Sequence, residues 1–171
     1  MVTAVCVDNG EPNLENCVKS LRNQTIKVNV VIAAGPGTNM KLAESIADVV
    51  IGPIDGIGKA RLTAIKAIDD EYVLSCDSDS IYESHYAEVA VEDLRRFKAV
   101  KATSVYPINN NPLGLIESNL ILLINYEYAL AFRRSELLKV TSSMPFLIIN
   151  HRRWDIGLLV GLLNPILEPR M

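Results

Sequence analysis

The chain has 171 residues, of which 49% are hydrophobic and 22% are charged, and its formal net charge is -3. This length suits one domain with a single core, and the composition excludes both a disordered chain and a strongly basic nucleic-acid binder. We therefore expect a single domain that spans residues 1–171 and has no nucleic-acid partner.

Runs of apolar residues alternate with amphipathic segments from the amino terminus onward. The run Val2 to Val7 predicts a strand, and the next segment predicts a helix because its apolar residues follow helical spacing. That helix carries an inward stripe of Leu14, Cys17, Val18 and Leu21. The later helices carry inward faces formed by Met40, Ala43 and Ile46, by Ala64, Ile65 and Ile68, and by Ala90, Leu94 and Phe97. The other predicted strands are Val28 to Ile32, Val49 to Ile51, Tyr72 to Cys76, Val100 to Val105 and Ala129 to Phe132.

This alternation is typical of βαβ units, so the predicted fold class is α/β: a Rossmann-type domain with a mainly parallel central sheet flanked by helices. The second half of the chain is less regular. Pro107 to Pro112 predicts an exposed loop, and Leu115 to Tyr126 predicts a helix that lies against the sheet or on a lipid surface. Short helices are predicted at Ser135 to Val140 and at Trp154 to Leu163.

The cysteines and the apolar segments bear on cellular location. Cys6, Cys17 and Cys76 lack the spacing of a metal site and have apolar neighbours, so we interpret them as small buried residues in a reducing compartment. Met1 to Val7 lacks the features of a signal peptide. Leu113 to Phe132 is interrupted by polar and acidic residues that are costly in hydrocarbon. The sequence thus predicts a cytoplasmic protein without a spanning helix.

The strongest local signal for chemistry is Asp77-Ser78-Asp79, which directly follows the predicted strand Tyr72 to Cys76. Ligands of α/β sheets bind outside the carboxyl ends of parallel strands, and residues i and i+2 of an extended segment point the same way. Two carboxylates in one cleft suit Mg²⁺ or Mn²⁺, which prefer oxygen ligands. The alternative is that both acids are solvated on a loop or cap the next helix.

The segment Glu71 to Asp79 resembles the strand and acidic turn of the family 2 glycosyltransferases, which have the GT-A fold. Trp154-Asp155 stands where that family carries its acidic catalytic pair. Further similar segments occur in the family's order, namely Val2 to Gly10, Ser20 to Thr25, Gly58 to Thr63 and Ala131 to Leu138. The resemblance therefore extends over nearly the whole chain.

The resemblance implies an enzyme of the hexosyltransferase type that moves a sugar, with inversion, from a nucleotide-diphosphate donor to an acceptor hydroxyl. Asp77 and Asp79 would hold Mn²⁺ or Mg²⁺, and Asp155 would act as general base. The nucleotide-sugar contacts implied are those of Val7, Asn9, Gly58, Arg61, Asp77 and Ser78. Residues 1–105 would form the nucleotide-sugar-binding half and residues 106–171 the acceptor-side half. The acceptor would be a glycan, a lipid or a protein.

The sequence departs from the family in three places. Leu62 replaces the asparagine that usually follows the family's arginine. Ala33-Ala34 replaces an acidic pair that helps to read the base and ribose, and Trp154 replaces the first catalytic acid. A catalytically reduced nucleotide- or sugar-binding module is therefore an alternative, and so is a nucleotidyltransferase, although Cys6 to Pro12 lacks the glycine-rich loop of that class. We expect the acceptor site to be completed by a second subunit in a homo-oligomer, by peripheral contact with a membrane, or by the loop Pro107 to Pro112.

Overall fold

The computed structural model describes residues 1–101 and 130–143, which form the strands and helices of one α/β unit. In chain order these are β1 (Val2–Asp8), α1 (Leu14–Arg22), β2 (Val28–Ala34), α2 (Met40–Ile46), β3 (Val49–Ile51), α3 (Ile57–Ala67), β4 (Tyr72–Asp77), α4 (Tyr86–Leu94), β5 (Ala99–Lys101), β6 (Leu130–Arg133) and α5 (Arg134–Ser143). Each strand and helix in this part of the chain overlaps one that the apolar periodicity predicts.

The strands form one sheet in the order β3-β2-β1-β4-β6-β5. The four strands from β3 to β4 are parallel, whereas β6 runs antiparallel to both of its neighbours. Parallel strands present their carboxyl ends at the same edge of a sheet, and here Asp8 of β1 lies beside Ala34 of β2 while Val7 lies beside Asp77 of β4. The predicted mainly parallel α/β sheet is confirmed.

Helices cover both faces of the sheet because the side chains of each buried strand alternate between them. In β1, Ala4 and Cys6 pack with α1, α2 and α4 on one face, whereas Val5 and Val7 pack with α3 and α5 on the other. The predicted stripe of α1 is buried in full, and Ala43 of α2 is buried as well. The core is therefore split into two layers by the sheet.

Some boundaries differ from the prediction. Phe97 was expected to share the buried face of Ala90 and Leu94, but that expectation is wrong because 51% of Phe97 is exposed. The cause is that α4 ends at Leu94, after which the amides of Arg96 and Phe97 both donate to the carbonyl of Asp93 at 2.9 Å.

Several predicted features lie outside the described residues. These are the loop Pro107 to Pro112, the helices Leu115 to Tyr126 and Trp154 to Leu163, the end of the strand Val100 to Val105, and Asp155. Within residues 1–101 and 130–143, no helix is long and apolar enough to cross a membrane.

Candidate functional site

The carboxyl ends of β1, β2 and β4 bring most of the predicted site residues together. The amide of Ser78 donates to the carbonyl of Val7 at 3.1 Å, which continues the pairing of β4 with β1 by one residue. Asn9 follows directly after β1. The predicted contacts Val7, Asn9, Asp77 and Ser78 therefore stand at one edge of the sheet.

Arg61 projects from α3 to the same edge. Its Nη2 lies 2.6 Å from Oδ1 of Asp77, and the exposed fractions of the two side chains are 5% and 30%. An ionic hydrogen bond this short fixes the direction of both groups and neutralises the carboxylate. Arg61 is therefore buried rather than directed to solvent. Gly58 is buried about one turn earlier in α3.

The two acids of the Asp77-Ser78-Asp79 turn have different surroundings. Asp77 is half-buried against Arg61, whereas Asp79 is exposed and its Oδ1 accepts a hydrogen bond from Oγ of Ser80 at 3.0 Å. The amide of Ser80 donates to the carbonyl of Asp77 at 3.2 Å, which closes the turn. In the described part of the chain, no three His, Cys, Asp or Glu side chains are grouped to hold a metal ion.

Ser78, between the two acids, is 2% exposed. Its hydroxyl is buried and has no hydrogen-bond partner among the residues that the structure describes. Buried polar atoms usually have a partner, so this hydroxyl is a candidate contact for a bound ligand.

The loops after β1 and β2 are joined tightly. The amide of Gly37 donates to Oδ1 of Asn9 at 2.9 Å, while the amide of Gly35 and the hydroxyl of Thr38 donate to the carbonyl of Asp8 at 2.7 and 2.8 Å. A Cβ atom on Gly37 would collide with the main-chain oxygen of Asn9. The amide side chain of Asn9 thus takes part in holding the two loops together.

Asp8 is a further residue of this edge, and it is not among the site residues that the sequence predicts. It is 1% exposed, and its carboxylate accepts hydrogen bonds from the amides of Gly10 at 3.0 Å and Glu11 at 3.1 Å. Gly10 adopts a φ of 95°, a conformation that glycine tolerates best. An aspartate followed two residues later by glycine at a strand end is the signal that could have identified this turn.

Gln24, two residues after the end of α1, links this helix to the segment that follows the acidic turn. Its Nε2 donates to the carbonyls of Ser20 at 3.1 Å and Glu83 at 2.7 Å, and its Oε1 accepts from the amide of Ala87 at 2.8 Å. The segment that follows the acidic turn is therefore fastened to α1. Sequence reasoning noted Gln24 within a motif but assigned it no role.

The side chains of Tyr82 and Tyr86 lie close to the acidic turn. Burial raises the pKa of both phenols well above the usual value, and the nearby carboxylate of Asp77 raises it further. Both phenols therefore remain protonated and uncharged at neutral pH.

Solved structures share this fold. The crystal structure of residues 1–349 of TarS from S. aureus matches with a TM-score of 0.64 and 18% identity, covering 95% of this chain and 55% of that one. A mannosyltransferase from Pyrobaculum calidifontis, solved in complex with GDP-Man and Mn²⁺, matches with a TM-score of 0.58 and 18% identity, covering 81% and 46%. TarS 1–349 in complex with UDP-GlcNAc matches with a TM-score of 0.60 and 19% identity, covering 82% and 47%. The chain thus spans about half the length of these structures.

A search of curated protein sequences gave no significant match. At identities below 20%, the solved structures establish only that the fold is of the GT-A type. A family model described as glycosyl transferase family 2 matches residues 3–155, which is most of the chain. This chain therefore belongs to glycosyl transferase family 2.

Proposed function

We propose that this chain is a metal-dependent, inverting glycosyltransferase that moves a hexose from a nucleotide-diphosphate donor to an acceptor hydroxyl. The observation that carries the proposal is the acidic turn at the end of β4, where Asp79 is exposed and Asp77 is held by Arg61. Ligands of α/β sheets bind at this edge.

The acidic turn fits a hard divalent cation. Mg²⁺ and Mn²⁺ bind oxygen ligands, and Mg²⁺ sites commonly combine one or two carboxylates with substrate phosphates. Arg61 competes with a cation for Oδ1 of Asp77, whereas Asp79 has its carboxylate in solvent. We therefore assign the main metal contact to Asp79, with Asp77 as its partner and as a donor contact. A bound ion supplies Lewis-acid neutralisation of the leaving diphosphate.

The other predicted residues complete the proposed site. Arg61 and Ser78 border the acidic turn, and Val7, Asn9 and Gly58 supply the surrounding backbone and loop, so we propose that these five contact the nucleotide sugar. Asp155, which lies outside the described residues, would accept the proton of the acceptor hydroxyl as that oxygen attacks the anomeric carbon.

The donor nucleotide has to be determined by measurement, because the usual acidic pair is absent. Ala33 and Ala34 are fully buried, and the carbonyl of Ala34 accepts a hydrogen bond from the amide of Ile54 at 2.9 Å. The solved relatives named above bind either UDP-GlcNAc or GDP-Man. Both UDP and GDP are therefore suitable first probes.

The test is calorimetric titration of UDP and GDP into the protein, with and without Mn²⁺, for the wild type, Asp79→Ala and Asp69→Ala. Asp69 is an exposed acid that precedes β4, at the opposite edge of the sheet, so it is the matched control. We expect one nucleotide to bind in a Mn²⁺-dependent manner, Asp79→Ala to weaken that binding about tenfold or more, and Asp69→Ala to have no effect.

Absence of binding by either nucleotide under all conditions would refute the metal-dependent donor site. Turnover is tested separately, by release of the nucleotide from UDP- and GDP-sugars by the wild type and by Asp155→Asn. Mn²⁺-dependent binding together with equal turnover in both proteins would indicate a catalytically reduced binding module instead.

A further inference from the structure

A buried layer of thiols and phenols lies beneath the acidic turn. All three cysteines are buried free thiols, as predicted, and the structure brings Sγ of Cys6 within 3.5 Å of Sγ of Cys17. The rings of Tyr82 and Tyr86 have centroids 5.1 Å apart. Two members of this layer, Cys17 and Tyr82, bond directly to the main chain of the turn.

The bonds to the turn meet at Asp77, on both sides of its backbone. Its amide donates to the hydroxyl of Tyr82 at 2.9 Å, and its carbonyl lies 3.5 Å from the Cys17 thiol, which donates to it. The amide of Tyr82 in turn donates to Oγ of Ser20 at 3.0 Å, which ties the tyrosine to α1. The last residue of β4 is thus held by side chains.

The geometry of β4 shows which side of the strand the amide of Asp77 faces. Successive amides of a strand point to opposite sides, and the amide of Ser78 points to β1, where it bonds to Val7. The amide of Asp77 therefore points to the side of β6, whose pairing with β4 runs from Tyr72 to Leu74 among the described residues. On that side the hydroxyl of Tyr82 accepts the hydrogen bond of this amide.

We propose that Tyr82 is a positioning residue for the metal and donor site: its hydroxyl holds the amide of Asp77 and so sets the direction of the Asp77 and Asp79 carboxylates. Cys17 supports it from the carbonyl side through a weaker bond. The part of this inference that concerns the metal rests on the proposed function, whereas the part that concerns the backbone does not.

Tyr86 provides a matched control. It contacts the ring of Tyr82, and its hydroxyl is also buried, yet that hydroxyl has no hydrogen-bond partner within the described part of the chain. Tyr86→Phe and Tyr82→Phe therefore remove the same atom from the same layer, and only Tyr82→Phe removes a bond to the turn.

The experiment compares both variants of the full chain with the wild type in two ways. Amide hydrogen exchange of the metal-free protein, followed by NMR, reports on the turn itself. Calorimetry with Mn²⁺ and the nucleotide that binds the wild type reports on the site. We expect Tyr82→Phe to speed exchange of the Asp77 amide about tenfold or more without changing that of Leu74, and to weaken Mn²⁺-dependent binding about tenfold. Tyr86→Phe is expected to match the wild type in both.

Equal exchange at Asp77 in the two variants would overturn the proposal, and so would faster exchange with unchanged Mn²⁺-dependent affinity. Equal loss of affinity in both variants would overturn it as well, because it would indicate a general effect of the layer. If the wild type binds no nucleotide with Mn²⁺, the proposed function fails by itself, and the exchange rates alone then support or overturn the hold of Tyr82 on the turn.

Discussion

Replacing Gln24 with glutamate tests whether the link between α1 and the segment after the acidic turn stabilises the fold. The substitution keeps the shape of the side chain but removes the two donor bonds of Nε2, to the carbonyls of Ser20 at 3.1 Å and Glu83 at 2.7 Å. It also places a carboxylate oxygen against those carbonyls. The bond from the amide of Ala87 to Oε1, at 2.8 Å, is kept.

The magnitude follows from these three bonds. Each lost hydrogen bond costs about 1 kcal/mol, and the repulsion between the introduced carboxylate and the carbonyls adds to that cost. The retained bond at the start of α4 becomes charge-assisted, which offsets about 0.5 kcal/mol. We expect Gln24→Glu to lower the free energy of unfolding by about 2 kcal/mol, which corresponds to a fall in Tm of about 4–8 °C.

Urea denaturation at pH 7 and again near pH 4 measures this effect. A protonated carboxyl donates a hydrogen bond again, so folding raises the pKa of the introduced group; its stabilising contribution is present below the unfolded pKa of about 4.3 and is lost as the pH rises. The deficit should therefore shrink at the lower pH. The control is Thr25→Val, which removes one exposed bond to Glu88 of 2.8 Å and should cost less than about 0.5 kcal/mol. Equal losses in the two variants, or a deficit independent of pH, would refute this reasoning.

Two further predictions concern the contact between the loops after β1 and β2 and the loss of stability at low pH. Gly37→Ala places a methyl group against the main-chain oxygen of Asn9, so we expect the free energy of unfolding to fall by about 1–3 kcal/mol and nucleotide binding to weaken. An unchanged free energy of unfolding and an unchanged nucleotide affinity would contradict the close approach of the two loops. Burial raises the pKa of Asp48, but hydrogen bonds from the amide of Val30 and from Arg22 outweigh it and leave the pKa below the usual value. The stability that Asp48 contributes is therefore present above the unfolded pKa of about 3.9 and is lost as the pH falls through the folded value. In Asp48→Asn, the free energy of unfolding measured by denaturation should fall less steeply between pH 7 and pH 2 than in the wild type. An unchanged pH dependence would show that the Asp48 carboxylate does not cause the loss of stability.

Apolar periodicity was sufficient to locate the strands and helices of the first half of the chain. Buried positions recur every two residues in a strand and about every 3.6 residues in a helix, and the apolar residues of the sequence show the same spacing. The stripe of α1 and the strand Tyr72–Asp77 illustrate this agreement. Phe97 shows the limit of this pattern, because it continues the spacing of Ala90 and Leu94 although the helix ends at Leu94.

The order of the strands was not available from the same pattern. The antiparallel strand β6 lies between β4 and β5, although it follows both in the chain. Pairing of this kind depends on contacts between distant segments, and a strand carries the same apolar pattern whichever neighbour it takes.

At the site, the sequence by itself determined which residue types stand at the end of β4 and that they suit a divalent cation. Only the tertiary structure decided their separate surroundings: Arg61 holds Asp77, and Asp79 stays in solvent. The bond of Gln24 to Ala87 and that of Cys17 to Asp77 span 63 and 60 residues of sequence. Such bonds form because the fold brings strand ends and helix ends together in space. Local sequence patterns do not predict which distant groups will come into contact there.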